Sequence, residues 1–433
     1  MVTRRDDGPG HRGRLIPANN KTGIMTSVCL YFKVHRPYAM KKFMVNNIGT
    51  SNSYYDEALD KAGIDQLVDD CCLPANKMML EQIIKQKGNF KVSFSLSGVL
   101  LELLCNYRPD AIRSFKELAS TGCVEFLSET YYNSLSSLHS AAEFQRQIVK
   151  HDDMIEDLFG LRPAVFRNTE LIHNNKIAEL IAELSLKGIL CEGVERILQG
   201  RSCNKLYRAP GSGELGILLR NQSLSDDIAF RFGDPNWSEH PLTAEKFAGW
   251  LHHHPADSDV INLFMDYETL GIHKTPGTGI FDFLCSLPSA VLQHENFIFS
   301  TASEVIDEKP PTGFYDVVKT ISWEDRSMTN CVWTENMMQN NTLKKIYSID
   351  KLVLSIADEA GVNQWGRLQA ADYFYWMDES RKNCCGTSLT AREAYQYYSN
   401  MVADFEIAMI KKEIDARKKK TDSSRLAFNI LTN

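Results

Sequence analysis

From Val28 to about Asn330 the sequence sets short β-branched or aromatic apolar runs between longer stretches whose apolar residues recur at helical spacing. That alternation is how a mostly parallel sheet covered by helices reads. The runs fall at Val28–Val34, Lys91–Leu96, Val124–Leu127, Ala164–Arg167, Gly188–Cys191, Ile217–Arg220, Val260–Met265 and Phe297–Ser300. Helical patterns such as Phe115–Ser120 and Lys176–Leu186 lie between them. Seven or eight strands alternating with helices predict an α/β fold, an irregular (β/α)7 barrel over residues 25–329. Barrels of this kind carry their catalytic groups on the loops that leave the C-terminal ends of the strands. The first polar residues after each strand are therefore the ones to weigh.

Past Asn330 the strand signals stop and amphipathic patterns take over, which predicts a helical C-terminal subdomain over 330–416. Its last helix is marked by Thr390 and Glu393, a capping box, followed by Ala394, Tyr398, Met401, Phe405 and Ala408 on one face. Residues 417–433, with Lys418, Lys419 and Lys420 in a row, read as a frayed solvated tail. Residues 1–24 carry four arginines but no apolar stretch of the length a secretory signal needs, and read as a disordered leader or an over-called start upstream of Met25.

Charge limits the partners. Lys and Arg number 48 against 55 Asp and Glu, a net charge of −7, the wrong sign for a protein that holds nucleic acid by neutralising phosphates. No run of about 18 apolar residues is present, so no membrane span is expected. Eleven cysteines, an odd number with two adjacent pairs and no C-x-x-C spacing, fit small buried hydrophobes in a reducing cytoplasm.

Four strand ends stand out: His35 in His-Arg-Pro-Tyr, Glu129 in Leu-Ser-Glu-Thr-Tyr-Tyr, Glu170 in Phe-Arg-Asn-Thr-Glu-Leu, and Asp266 in Phe-Met-Asp-Tyr-Glu-Thr-Leu-Gly. Each follows an apolar strand, so all four are expected at one mouth of the barrel. Two carboxyls across such a mouth suit acetal cleavage, where one protonates the leaving oxygen and the other attacks or stabilises the anomeric carbon. Glu170 and Asp266 fit those roles. Sugars stack their C–H faces on flat rings, which makes Trp237, Trp323, Tyr267 and Tyr131 the aromatic candidates, whereas Trp250, Trp365 and Trp376 sit in helical patterns and read as core. Asp227, in Ser-Leu-Ser-Asp-Asp, is a further candidate for contact with substrate. His252, His253 and His254 are consecutive and cannot all point at one ion, so they read as a surface cluster.

These segments together resemble glycoside hydrolase family 57, in its shorter α-amylase-like branch, from about Val28 to about Ser380. His-Arg-Pro-Tyr at 35–38 is similar to the family's first motif, commonly His-Gln-Pro, whose histidine contacts the sugar at the cleavage point. Phe-Arg-Asn-Thr-Glu at 166–170 resembles the nucleophile motif and implies that role for Glu170. Asp-Tyr-Glu-Thr-Leu-Gly at 266–271 resembles the motif of the general acid/base and implies that role for Asp266. The segment from Phe232 to Leu242, with Trp237, resembles the branch's tryptophan-containing loop, and Ser322-Trp323-Glu324-Asp325 followed by Trp333 and Asn336 resembles its late motif. The chain departs from the family pattern at Asn133, where histidine is common, at Thr334-Glu335, and at Ala370-Ala371-Asp372-Tyr373, where Thr-Ser-Asp-His is common.

The resemblance implies retaining cleavage of α-1,4-glucans with a covalent glycosyl-enzyme on Glu170 and carboxyls roughly 5–5.5 Å apart. Asp266 would need a raised pKa, supplied by burial and a neighbouring carboxylate, with Glu268 as second choice for the acid or as a group orienting His35 or His273. No cofactor or metal is expected. A 4-α-glucanotransferase or a branching enzyme would use the same intermediate. A metal-dependent deacetylase would need a second histidine beside His35, and a glycan-binding protein without catalysis would not need both carboxyls.

Overall fold

A computed structural model describes residues 25–50, 53–255, 258–323, 333–379 and 389–431, with side chains described to residue 419. The leader expected over 1–24, Glu324-Asp325 and Cys384/Cys385 lie outside the described residues. The strands are β1 (Thr26–Val34), β2 (Val92–Leu96), β3 (Val124–Phe126), β4 (Val165–Arg167), β5 (Gly188–Glu192), β6 (Leu206–Arg208), β7 (Gly216–Arg220), β8 (Val260–Asp266) and β9 (Phe297–Phe299). All eight expected strands are present. The addition is β6, three residues paired antiparallel to β7, too short for its periodicity to register.

Seven strands run parallel in the order β3-β2-β1-β8-β7-β5-β4, and the sheet curls until its two edges meet. They join at Ser128, just past β3. Its N–H donates to the Val165 carbonyl at 2.9 Å, and its own carbonyl accepts from Arg167 N–H at 2.8 Å. This is the (β/α)7 architecture, with β6 and β9 as additions outside the ring. Strand β9 pairs with the first residues of β1, Thr26–Val28, while β2 pairs with its last, Tyr31–Val34. Between β7 and β8 the backbone pairing shrinks to the Arg220–Asn262 position. Side chains fill the seam: Asn262 Nδ2 donates to the Leu219 carbonyl at 2.9 Å, and Phe264 N–H donates to Ser225 Oγ at 3.1 Å.

Alternation along the strands sorts the barrel interior into layers. Cys29, Tyr31, Leu127, Val165, Leu190, Leu218 and Phe264 form a dry inner core, with Tyr31 and Phe264 stacked at 4.9 Å between ring centroids. One step further along the same strands come Lys33, Glu129, Arg167, Glu192, Arg220 and Asp266, all charged. The intervening residues, among them Phe32, Phe94 and Ile261 on one side and Phe166, Ile189 and Ile217 on the other, face outward and pack under the helices.

The C-terminal helices do not form a core of their own. Trp365, Tyr373, Phe374 and Tyr398 are buried in the same cluster as Phe166, Ile189 and Ile217 of the barrel. The last helix spans Ala391–Leu431, so it continues through the lysine run expected to fray. Its start has the expected capping box, with Glu393 N–H donating to Thr390 Oγ1 at 3.3 Å and Thr390 N–H to Glu393 Oε2 at 2.9 Å. Ala394, Tyr398, Met401 and Phe405 are buried as expected, but Ala408 is exposed and Met409 is buried in its place. A 3.6-residue turn has carried the stripe round by one position.

The loop after β8 is fixed by a glycine. Gly271 has φ +104°, and a Cβ there would overlap the carbonyl oxygen of Asp70 in the helical segment beneath. That segment also receives the loop directly, since Cys71 Sγ donates to the Tyr267 carbonyl at 3.1 Å. We expect Gly271→Ala to lower unfolding free energy by about 2–3 kcal/mol in urea titration, because strained φ and backbone overlap add. An unchanged urea midpoint would show that the loop relaxes freely.

Candidate active site

Glu170 follows β4 in the short turn Thr169–Leu171 and has φ +53° and ψ 29°, with Leu171 also at φ +50°. Two consecutive side chains in the left-handed region cost of order 1–3 kcal/mol each and persist only where the surroundings impose them. Here Asn168 Oδ1 accepts from Thr169 N–H at 3.0 Å, its Nδ2 donates to the Ile172 carbonyl at 2.8 Å, and Thr169 Oγ1 bonds Thr130 Oγ1 at 2.9 Å. The bend turns the Glu170 carboxylate back over the barrel mouth. There Lys33 Nζ lies 2.6 Å from Oε1, and Trp323 Nε1 donates to Oε2 at 2.6 Å.

Burial by itself would raise the pKa of Glu170, but the Lys33 charge and hydrogen bond, with Arg167 and Trp323, outweigh it and hold the carboxyl below its ordinary value. Lys33 is held above its ordinary value against its own burial by Glu170 and Asp266. Asp266 is its neighbour by construction, since Lys33 and Asp266 are register partners across β1 and β8. A cavity of about 230 Å³ opens over these groups, lined by Lys33, Glu170, Asp266, Arg220, Phe230 and Trp323. Phe230 and Trp323 form its apolar wall, their rings nearly parallel at 8° with centroids 6.3 Å apart.

Trp323 owes its position to backbone pairing. The segment before it runs antiparallel to the loop after β4: His173 and Ile321 exchange two 2.9 Å hydrogen bonds, and Trp323 N–H donates to the Glu170 carbonyl at 3.2 Å. The indole and the carboxylate it contacts are therefore placed by the same backbone pairing.

The expected residues divide. Glu170, Asp266 and Trp323 share the cavity. Glu129 does not reach it: its side chain is 1% exposed and is ion-paired with Arg167, which also donates to Ser95 Oγ at 2.8 Å. Burial would raise Glu129, and Arg167, with His151 and His35, more than offsets that. Glu129 supports Arg167, and Arg167 reaches the cavity. Tyr267 is a correction. It is fully buried among Phe32, Phe94 and Phe115 with its hydroxyl donating to Asn76 at 2.7 Å, because the residue after an inward Asp266 must face outward. Tyr131 is likewise packed, its hydroxyl donating to Glu102 at 2.8 Å.

Asp227 and Trp237 line a separate, more open groove with Arg231, Glu239 and Trp250. Asp227 pairs with Arg231 at 2.6 Å, and Arg231 lies over the Trp237 ring at 5.7 Å. The turn Asp227–Arg231 divides the two spaces, presenting Ala229 and Phe230 to the cavity and Asp227 and Arg231 to the groove. Trp250, expected as core, is partly buried at this groove.

On the other side of Asp266, both ring nitrogens of His35 are engaged. Nδ1 bonds Ser97 Oγ at 2.6 Å and Nε2 bonds Asp372 Oδ2 at 2.9 Å. Burial would raise Asp372, but His35 and Lys33 bring it down to about 2. Asn133 meets the same residue: its Nδ2 donates to Asp372 Oδ2 at 3.4 Å, and its carbonyl accepts from Ala371 N–H at 2.9 Å. Glu268 is the carboxyl that the site pushes up, to about 8, by burial and then by the charge of Asp266. Among the described residues no three His, Cys, Asp or Glu side chains are placed to hold a metal ion. His252, His253 and His254 point to different partners, Val291, Gly249 and Asn204.

Sequence reasoning passed over Lys33, Arg220, Phe230 and Asp372. For Lys33 the signal was available, since a lysine in phase with inward Cys29 and Tyr31 must sit at the barrel mouth. Asp372 comes from a helix more than 330 residues away in the chain, and nothing local announces its partner.

A parallel barrel with two carboxyls at its mouth is an arrangement suited to a glycoside hydrolase. The glycosyl hydrolase family 57 model matches residues 29–318, and the chain belongs to that family. A protein of Methanocaldococcus jannaschii named "Putative alpha-amylase" is 37% identical over 417 residues, covering 91% of this chain and 88% of its own. The alpha-amylase AmyC of Thermotoga maritima superposes with a TM-score of 0.65 at 12% identity, covering 91% of this chain and 94% of that one. A branching enzyme of Pyrococcus horikoshii gives 0.62 at 15% identity with 88% of each chain covered. A 4-alpha-glucanotransferase of Thermococcus litoralis gives 0.66 at 14% identity over 88% of this chain, which spans 59% of that longer chain.

Lys33→Met tests the electrostatics. Glu170 is useful as a carboxylate and its pKa is held down, so loss of the Lys33 charge lets the pKa rise. The acidic limb of the kcat/KM profile should move to higher pH. A limb that stays in place would show that Lys33 does not set the ionisation of Glu170.

Proposed function

We propose that this glycoside hydrolase cleaves α-1,4-linked glucans such as glycogen, starch or maltodextrin with retention of configuration, through a glycosyl-enzyme on Glu170. The observation that carries the reading is a mostly buried carboxylate held down in pKa by Lys33 at 2.6 Å, in the same cavity as Asp266 and an apolar aromatic wall. In the first step a Glu170 oxygen attacks the anomeric carbon while the bond to the bridging oxygen breaks, and Asp266 gives that oxygen its proton. In the second, Asp266 takes a proton from the incoming water or sugar hydroxyl, whose oxygen displaces Glu170. Glu268 stands on the same loop as Asp266, its carboxyl pushed up to about 8 by burial and then by the charge of Asp266.

Substrate is read as an uncharged polysaccharide. The net charge of −7, the indole of Trp323 and the ring of Phe230 support that, as does the name of the archaeal relative. No helix among the described residues is long and apolar enough to cross a membrane. A cytoplasmic setting is supported by the cysteines described, all eight of which are free.

Glu170→Gln and Asp266→Asn should each lower turnover of amylose by about a thousandfold or more while the protein still unfolds in one cooperative transition. Near parental turnover in either variant would remove that residue from its role. With the unmodified protein, maltoheptaose should yield accumulating reducing ends. A ladder of longer chains would instead assign transfer, and new branch points would assign branching.

A further inference from the structure

The strand that carries Asp266 is supported unequally on its two sides. Toward β1, β8 is paired along its whole length, from Val260 to Asp266. Toward β7 it is paired only at Asn262, opposite Arg220. Strand β7 stops at Arg220, and Asn221 caps the short helix Gln222–Asp226, its Oδ1 accepting from Leu224 N–H at 3.1 Å. Phe264, Met265 and Asp266 therefore have no strand partner on that side among the described residues. Ending β7 early makes room, because Ala229 and Phe230, a few residues further along the chain, line the same cavity as Arg220 and Asp266.

Two side chains replace the missing strand at Phe264. Its N–H donates to Ser225 Oγ at 3.1 Å, and its carbonyl accepts from Arg220 Nε at 3.4 Å. Ser225 is completely buried, and its own proton is committed to the Asn221 carbonyl at 2.7 Å, which leaves the oxygen lone pairs for the Phe264 amide. Arg220 is held from behind, with Glu192 accepting from Nη1 at 3.3 Å and Asp226 from Nη2. Asp226 follows Ser225 directly, so one turn of chain fixes both clamps. Phe264 lies two residues before Asp266, on the same inward-facing side of β8, and both line the cavity. A general acid works only within hydrogen-bond reach of the oxygen it protonates, and its placement must hold to about 0.5 Å. On the β7 side that placement rests on a hydroxyl and a guanidinium.

We propose that Ser225 is a positioning residue for Asp266: together with Arg220 it stands in for the absent β7 backbone and sets the end of β8 so that the Asp266 carboxyl meets the glycosidic oxygen. The inference rests on the reading of Asp266 as the acid/base. Ser225 acts through the backbone of β8 and not by contact with substrate.

Ser225→Ala is the variant to make, because removing Arg220 would leave Glu192 and Asp226 unmatched in the interior. The test compares kcat/KM on maltoheptaose, whose leaving oxygen needs a proton, with kcat/KM on α-maltosyl fluoride, whose fluoride departs with its electron pair and needs none. With both substrates a Glu170 oxygen bonds to the anomeric carbon, but only with maltoheptaose does Asp266 pass its proton to the departing oxygen. The ratio of the two constants does not depend on how much of the variant is folded. Ser225→Ala should lower kcat/KM about tenfold or more on maltoheptaose and less than about threefold on the fluoride, and Asp266→Asn should show the same split more strongly. If Asp266→Asn shows the split, equal losses on the two substrates in Ser225→Ala, or no loss on either, would overturn the proposal. Equal losses in Asp266→Asn itself would overturn the reading of Asp266 and this inference with it.

Discussion

The ion pair between Lys33 and Glu170 is the contact on which the rest of the site depends. Lys33 reaches the barrel mouth because β1 alternates, and it lies between Glu170 and Asp266 because β1 and β8 are in register at Lys33 and Asp266. A charge in such a place is costly unless it is matched. The whole layer obeys that rule: Arg167 is matched by Glu129, and Arg220 by Glu192 and Asp226. The barrel thus changes from an apolar floor of Tyr31, Leu218 and Phe264 to a ring of paired charges within two residues along each strand. Of the carboxyls here, Glu170 and Asp266 line the cavity, together with Lys33, Arg167 and Arg220, whereas Glu129, Glu192 and Asp226 do not.

That layer explains why the protein maintains strain at Glu170 and Leu171. A relaxed turn would aim the carboxylate elsewhere, and the hydrogen bonds of Asn168, Thr169 and Trp323 hold the bend instead. Because Trp323 is zipped to the same loop through His173 and Ile321, the hydrogen bond that orients the carboxylate and the ring that would stack on sugar are set by one short ladder. The candidate site is therefore built by the ends of β1, β4 and β8 together with the segment before Trp323.

Much of this was legible from residue order. Eight strands were readable because their apolar runs are bounded and phased, and strand-end position pointed to Glu170, Asp266 and His35. Alternation also separates Asp266 from Tyr267, so the placement of Tyr267 in the core was available to a stricter reading of the same rule. What local pattern could not supply was contact at long range. Glu129 is silenced by Arg167, Asp227 is taken by Arg231, and Asp372 arrives from the C-terminal helices to occupy His35. Two of the departures from the family pattern, Asn133 and the segment around Asp372, turn out to touch each other, which no linear comparison reveals.

The central claim is that Glu170, kept ionised by Lys33, becomes covalently attached to the sugar. Peptide mass spectrometry of protein treated with a 5-fluoro-α-glucosyl fluoride, which slows departure of the sugar from the enzyme, tests it directly. The account predicts one added sugar on the peptide containing Glu170, absent in Glu170→Gln. A sugar attached to Asp266 or Glu268, or steady turnover of the fluoride with no labelled peptide, would contradict it.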